Sequence, residues 1–505
     1  MLGALLAQAV PFKAPTIDYH ALAPEIVLAA VICGVILADL FLEESKKYLT
    51  ATLAGVGVLA ALIPVFTLAV SSHPARVMFG GGYVVDDFSL VLKALFLIAG
   101  YVVVLLSQQY VEDGDYWEGE YYVLLLTSIL GMLMMTSSRD LISIFVALEM
   151  LSIPAYMLAA WRKRDEKSNE AGVKYFLLGV FSSALMLYGM SLLYGESGTT
   201  SLAGIGVYLH GHVSSAAALA IVFVLVGFAF KVSAVPFHSW APDTYEGAPT
   251  PITAFLSVAS KAAGFVALVT LVYVAFPGAG DIWQPFLGVM AALTMTVGNV
   301  MALRQTNIVR MLAYSSVSQG GFILMPLAVA GMGKAGTQPI TAVVTYLLVY
   351  AATNLGTFAV IIAVARRTRS GEISSYGGLL SYAPGLAVLM TVFMASLAGI
   401  PPLGGWIGKF AAFKAVLSVG TGWSYALAIV AAVNSVIAFG YYGTIMREIW
   451  MKPVPDDVVG APMKNPASLN AALGICGIAT LVLGVLPGIV LRFGDLSTIT
   501  GALGK

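Results

Sequence analysis

Cysteine is almost absent: Cys33 and Cys476 are the two in 505 residues, and neither has a second cysteine nearby. Their isolation removes the spacing that iron–sulfur, zinc and haem sites need, and it gives a disulfide little support. Charge is scarce too. Asp, Glu, Lys and Arg make up 10% of the chain, sum to zero and form no basic tract, so no nucleic-acid partner is expected. No glycine pattern of a dinucleotide or P-loop site occurs in a βαβ setting. The segment Met1–Val10 is apolar but has no positive stretch before it, so no cleaved leader is expected.

In place of charge the chain has apolar length. Hydrophobic residues make up 59% of it, in repeated runs of about 20, enough to cross a hydrocarbon core of roughly 30 Å. The expected fold class is an all-α polytopic membrane protein. About fourteen spans are expected, near 20–41, 48–71, 88–109, 119–137, 140–160, 171–195, 214–246, 251–276, 282–303, 306–330, 340–365, 384–418, 424–449 and 467–490. An even number leaves both termini on one side. Of the 26 Lys and Arg residues, 13 fall in loops on the side away from the termini and 6 on the side of the termini. The positive-inside rule then places both termini outside. The remaining seven, Lys93, Lys174, Lys231, Lys261, Arg310, Lys409 and Lys414, lie within or at the ends of spans.

Spans seven and twelve are broken. Span seven passes through Lys231-Val-Ser-Ala-Val-Pro-Phe-His-Ser-Trp, where Pro236 removes a backbone donor and collides with the preceding turn. At membrane depth a break is tolerated only where protein or water satisfies the freed groups, and Lys231 beside it should face a polar interior. Span twelve reads Ser396-Leu-Ala-Gly-Ile-Pro-Pro-Leu-Gly-Gly-Trp-Ile-Gly-Lys409. Placing Pro401 on Pro236 gives an offset of 165, and placing Gly298 on Gly131 gives 167. Near-equal offsets predict two five-helix units, spans four to eight and nine to thirteen. Because five is odd, the units form an inverted repeat, with a transport site expected at their interface. The expected division is a three-helix segment over 1–110, the two repeats over 111–280 and 281–452, and a final loop and helix over 453–505. The two breaks are expected to face each other.

Glu149 follows Arg139 by ten residues, which puts it about 15 Å into the membrane. Nothing at helical spacing on its own span can pair with it, so it should be protonated or meet a cation from another helix. Lys261 is equally deep after Pro251, among the small residues Ser257, Ser260, Ala262 and Ala263, and Lys409 follows the second break. One acid and three lysines on spans five, seven, eight and twelve therefore form a candidate proton relay. Burial disfavours the charged form of a lysine, and a nearby carboxylate favours it, so the two can switch each other. Two readings stand for His238: a proton carrier across the break, or a histidine that caps the broken helix. Lys93, Arg310 and Lys414 are expected to snorkel, and Asp243 and Glu246 to cap the short second half of span seven.

Lys231–Pro251, Phe255-Leu-Ser-Val-Ala-Ser-Lys-Ala-Ala and Ile400-Pro-Pro-Leu-Gly-Gly-Trp-Ile-Gly-Lys resemble the antiporter-like membrane subunits of respiratory complex I, the NADH:quinone oxidoreductase. The resemblance covers essentially the whole chain. The Pro-Phe-His-x-Trp segment is shared with sister subunits and with Mrp antiporters. Tyr245-Glu-Gly-Ala-Pro-Thr-Pro251 and a lysine at 409 are similar to the N-type branch. The resemblance implies a proton relay through Glu149, Lys231, Lys261 and Lys409, with Lys174 matching a further family motif. It also implies other complex I membrane subunits as partners in a bacterial inner or plasma membrane. No redox cofactor is expected on this chain, with NADH, FMN, iron–sulfur clusters and quinone on partner subunits. The expected function is a non-redox, proton-translocating subunit of that oxidoreductase; an Mrp-type cation/proton antiporter subunit is the alternative. The residues by themselves support a proton-handling transporter with inverted repeats. A purely structural scaffold would not need these charges.

Overall fold

The computed structural model describes residues 17–43, 46–71, 75–114, 118–211, 213–332, 337–455 and 464–491. The expectation for Met1–Val10 and most of the loop 453–463 lie outside them. The chain is built of long helices, eleven of them long and apolar enough to cross a membrane among the described residues. They begin with α1 (Ala23–Phe41) and α2 (Tyr48–Val70). A short hairpin of β1 (Arg76–Met78) and β2 (Tyr83–Val85) follows, which the all-α expectation did not contain. Then come α3 (Asp87–Asp113), α4 (Glu118–Ser137), α5 (Leu141–Ala159), α6 (Glu166–Ser197) and the short α7 (Leu202–Leu209).

Span seven is two helices, α8 (Ser215–Lys231) and α9 (Trp240–Gly247). Span eight is α10 (Thr250–Ala275), which contains two π-helical turns, Leu256–Ser260 and Leu271–Ala275. Next are α11 (Gly280–Ala302), α12 (Ile308–Leu327) and α13 (Gln338–Thr368). The second broken span is α14 (Pro384–Ala398) and α15 (Gly404–Leu417), followed by α16 (Gly422–Met451) and α17 (Ala467–Val485).

Backbone contacts recur at one sequence offset. A Cβ on Gly131 would lie 2.6 Å from the Leu151 nitrogen and 2.9 Å from the Ala147 oxygen, so α4 and α5 touch backbone to backbone. On Gly298 it would lie 2.6 Å from the Ser318 nitrogen and 2.9 Å from the Tyr314 oxygen. All three positions differ by one offset, 298 − 131 = 167. The helix caps keep the same offset. Asp140 accepts from the Ile142 and Ser143 amides, and Asn307 from those of Val309 and Arg310. Each capped turn is tied to a later loop: Leu141 N–H donates to Thr200, and Ile308 N–H to Gly371, whose offset is 371 − 200 = 171.

The two broken spans meet on one helix: α12 packs against both α9 and α15. The first break is braced by Thr294 of α11, whose hydroxyl accepts from the Val235 amide at 2.9 Å. The second packs on α13 and α17, where a Cβ on Gly484 would lie 2.1 Å from the Pro402 oxygen. Each break therefore satisfies its backbone on different helices rather than on the other break.

Several charged residues also differ from expectation. Lys93 does not snorkel: it is fully buried and ion-paired with Glu25 of α1 at 2.7 Å. Arg310 pairs with Asp243 at 2.8 Å and with Glu246 at 3.0 Å. Those two acids are thus ion-pair partners rather than caps, and no side chain caps α9. Arg139, just before the start of α5, is buried beside Asp86 at 3.3 Å.

The glycine contacts carry a prediction. Gly131→Ala and Gly298→Ala force backbone apart, so each should destabilise the chain by about 1–3 kcal/mol, the usual cost of overpacking. Gly34→Ala, where nothing lies within 4 Å of the added carbon, should not. Thermal denaturation of the three purified variants checks this.

Candidate functional site: three buried lysines joined by hydroxyls

The first lysine is positioned by the helix break. Beyond Lys231 the chain passes through Ser233 in the left-handed region (φ +58°) and turns into α9. Trp240 then folds back so that its indole N–H donates at 3.0 Å to the Phe230 carbonyl, which also accepts from the Ser233 amide at 3.0 Å. The Trp240 ring stacks on Tyr175 of α6 with centroids 4.4 Å apart. The Lys231 ammonium, 3% exposed, donates to Ser152 Oγ at 2.9 Å and more loosely to the Tyr175 hydroxyl at 3.4 Å.

Glu149 lies one turn before Ser152 on α5 and accepts a hydrogen bond from Ser183 of α6 at 2.6 Å. No hydrogen bond or ion pair joins it directly to Lys231 among the described residues. The expected pair is therefore a carboxylate and an ammonium, both attached to α5, the one as its own side chain and the other through Ser152. Glu149 is half-buried in the single chain.

Lys261 follows the π-helical turn Leu256–Ser260, a distortion often found at functional sites. Asn354 of α13 donates to Ser257 within that turn at 2.7 Å. The Lys261 ammonium, 2% exposed, donates to the Ser316 carbonyl at 2.7 Å and to its hydroxyl at 2.6 Å. The first two lysines are close in space. A Cβ on Gly264, one turn beyond Lys261, would touch the Lys231 side chain at 3.1 Å, and Ser260 stands beside the Tyr175 hydroxyl.

Lys409, 4% exposed, donates to the Ala398 carbonyl at the second break at 2.9 Å. Its ammonium lies 4.9 Å from the centre of the Phe322 ring on α12. Gly399 is required there: it has φ +88°, and a Cβ would sit 2.8 Å from the Lys409 chain. Between Ser316 and this break runs a file of polar groups. Ser315 bonds the Tyr442 hydroxyl, Tyr442 accepts from Gln319 at 3.1 Å, and Gln319 also donates to the Leu397 carbonyl at 3.1 Å.

Two sequence candidates stand apart. Lys174 is half-exposed in a charge network with Glu170, Asp243, Arg310, Glu246 and Lys167. His238 is half-buried inside the first break, and no side-chain hydrogen bond joins its ring to the lysines. The residues that sequence reasoning missed are Ser152, Tyr175, Ser316, Gln319 and Tyr442. The repeat offset held a signal for two of them: 149 + 167 is Ser316 and 152 + 167 is Gln319.

The family model for the transmembrane region of NADH:quinone oxidoreductases and Mrp antiporters matches residues 138–437. The NADH-quinone oxidoreductase subunit N of Trichlorobacter lovleyi is 39% identical over 95% of this chain and 96% of its own length. A chain of the structure of respiratory complex I from Thermus thermophilus with bound aureothin superposes with a TM-score of 0.77. It is 32% identical and covers 93% of this chain and 98% of its own. A chain of the Mrp complex from Dietzia superposes with a TM-score of 0.82 at 22% identity, covering 97% of this chain and all of its own, which speaks for the fold alone. With a family model over more than half its length and a relative of this identity over nearly all of it, the chain belongs to the antiporter-like membrane subunits of NADH:quinone oxidoreductase, in the subunit N family.

Proposed function

We propose that this chain carries protons across the membrane through Glu149, Lys231, Lys261 and Lys409, as a non-redox subunit of an NADH:quinone oxidoreductase. The observation that carries this reading is the company the three lysines keep. Each lysine is at most 4% exposed, and the hydrogen-bond partners of its ammonium are neutral hydroxyls and carbonyls. An ion pair would hold a lysine in its charged form, whereas a serine hydroxyl or backbone carbonyl leaves an amine possible. By contrast Lys93, Lys174 and Arg310 are paired with carboxylates, which suits structure rather than proton exchange. On this reading Lys174 belongs to the charged rim of the relay, and His238 serves the break.

Glu149 acts as the switch. Its charge favours the ammonium of Lys231, and its neutralisation, or a partner subunit's charge approaching its half-buried side, releases that preference. The two repeats, 111–280 and 281–452, meet around α12, so the relay crosses from one unit into the other. Electrons would pass through partner subunits that hold flavin, iron–sulfur clusters and quinone, with this chain in a bacterial plasma membrane and its termini outside. An Mrp-type subunit has the same fold; copurification with NADH-oxidising subunits separates the two.

Lys261→Arg is the sharpest test of the relay. Arginine keeps charge and approximate size but does not deprotonate in proteins. If Lys261 passes protons, the arginine variant should lose translocation nearly as completely as Lys261→Ala. Removing a positioned proton-transfer group commonly costs about 10²–10⁴ in rate. A structural cation predicts arginine tolerated and alanine harmful. Proton uptake by membrane vesicles, normalised to assembled complex, decides it.

The switch has its own test. Glu149→Ala should lower pumping well below Glu149→Asp, because the shorter acid keeps the charge. Full pumping in an assembled Glu149→Ala complex would remove Glu149 from the mechanism.

A further inference from the structure

The polar file narrows at one neutral residue. Lys261 ends on Ser316, and Lys409 ends on the carbonyl of Ala398. Between them, one turn beyond Ser316 on α12, stands Gln319, 2% exposed. Both ends of its carboxamide are engaged. The oxygen accepts from the Tyr346 hydroxyl, and the nitrogen donates to Tyr442 at 3.1 Å and to the Leu397 carbonyl at 3.1 Å. Tyr442 is itself steadied. Its hydroxyl bonds Ser315, and its ring lies 4.4 Å from that of Tyr441, which donates to Asn299 at 2.9 Å. An amide offers N–H donors on one side and a carbonyl acceptor on the other, with no proton to give up near neutral pH. Clamped in this way, it interrupts a proton path instead of extending it.

Gln319 also lines a small cavity. Its volume is about 10 Å3, close to the space one water needs. It is lined by Gln319, Tyr346, Tyr350, Thr353, Ser396 and Leu397 among others. Tyr350 also stands beside Ser316, and the Ser396 hydroxyl accepts from the Gly405 amide across the second break. One wall of the cavity thus touches the partner of Lys261, and the other touches the segment that holds Lys409.

The repeat makes the same point from a different direction. The 167-residue offset carries Ser152 onto Gln319, and the 171-residue offset carries Tyr175 onto Tyr346. In the first unit Ser152 and Tyr175 hold the ammonium of Lys231. In the second, the proline offset of 165 puts the counterpart of Lys231 at Ser396, beside Leu397. No lysine is there, and the Gln319 amide nitrogen is the donor in its place.

We propose that Gln319 is a gate between Lys261 and Lys409, closed while its amide is bound to the Leu397 carbonyl. This rests on the proton-relay reading above. When the second break shifts and releases the amide, water extends from the cavity between Tyr350 and Ser396. One proton then leaves the Lys261 ammonium and one arrives on the neutral Lys409 amine, with Gln319 unchanged. Gln319 acts by position and takes no proton itself.

The test uses the assembled complex in proteoliposomes under an imposed pH gradient, with no substrate present. Gln319→Ala and the near-isosteric Gln319→Glu should each raise passive proton flux several-fold over the parent, and adding Lys409→Ala should abolish the excess. During turnover, both should move fewer protons per electron pair while electron transfer continues. Tyr442→Phe, which removes one of the amide's partners, should leak in the same sense but less. An assembled Gln319→Ala or Gln319→Glu complex with parental leak and full coupling overturns the gate. If Gln319→Ala does not assemble, Gln319→Glu decides, and Tyr442→Phe decides if neither does. A purely structural glutamine predicts less assembled complex but tight vesicles. Normal pumping in Lys261→Ala would instead overturn the relay; lost pumping there with tight Gln319 variants overturns the gate alone.

Discussion

Backbone polar groups inside a membrane must find partners within the protein, and the helix breaks at Pro236 and at Pro401–Pro402 turn that constraint into an interior. At the first break Trp240 takes the Phe230 carbonyl and Thr294 takes the Val235 amide. At the second, Gln319 takes the Leu397 carbonyl, Lys409 takes that of Ala398 and Ser396 takes the Gly405 amide. Each rescue brings a polar side chain to membrane depth. The groups that keep the breaks affordable are largely the groups that border the lysines, so stability and the proposed proton path rest on one set of residues.

The helix α12 joins the two sites. It packs against both broken spans and carries Ser315, Ser316 and Gln319 on successive positions of one face. It can approach so closely because its neighbours meet it through small residues. A Cβ on Gly298 or Gly321 would collide with the facing backbone of α12 or α11 respectively. Close backbone packing of this kind drives helix association where lipid offers no hydrophobic force. A shift of α12 would therefore be felt at Lys261 and at Lys409 together.

Charges divide into two populations by what they touch. Near the chain's ends and rims, Glu25 with Lys93, Asp86 with Arg139, and Asp243 with Arg310 and Lys174 are held as ion pairs. In the two buried pairs, Glu25 with Lys93 and Asp86 with Arg139, removing one member strands the other, at a cost of about 3–5 kcal/mol. Lys231, Lys261 and Lys409 have hydroxyl and carbonyl partners instead. The first population ties α1 to α3, the start of α3 to the connection between α4 and α5, and α6 and α12 to α9, and the second has no counter-ion to lose on the proposed change of protonation.

Most of this architecture was legible in the amino-acid sequence, because each feature rests on a local rule. Apolar length gave the spans, proline gave the two breaks, and the cost of charge in hydrocarbon singled out Glu149, Lys231, Lys261 and Lys409. The near-equal offsets of Pro236 with Pro401 and of Gly131 with Gly298 pointed to two related units. Partner choice depends on which helices touch, and no local rule reaches that. Lys93 and Lys261 look alike in sequence, two lysines in apolar spans, yet one faces Glu25 and the other faces Ser316. Asp243 and Glu246 sit where caps are expected, but Arg310 from α12 claims them both. That α9 and α15 both pack on α12 is likewise a matter of tertiary contact. Sequence determined where charge and broken backbone enter the membrane; tertiary packing alone decided which of those charges are paired, because a counter-ion arrives from a helix distant in the chain.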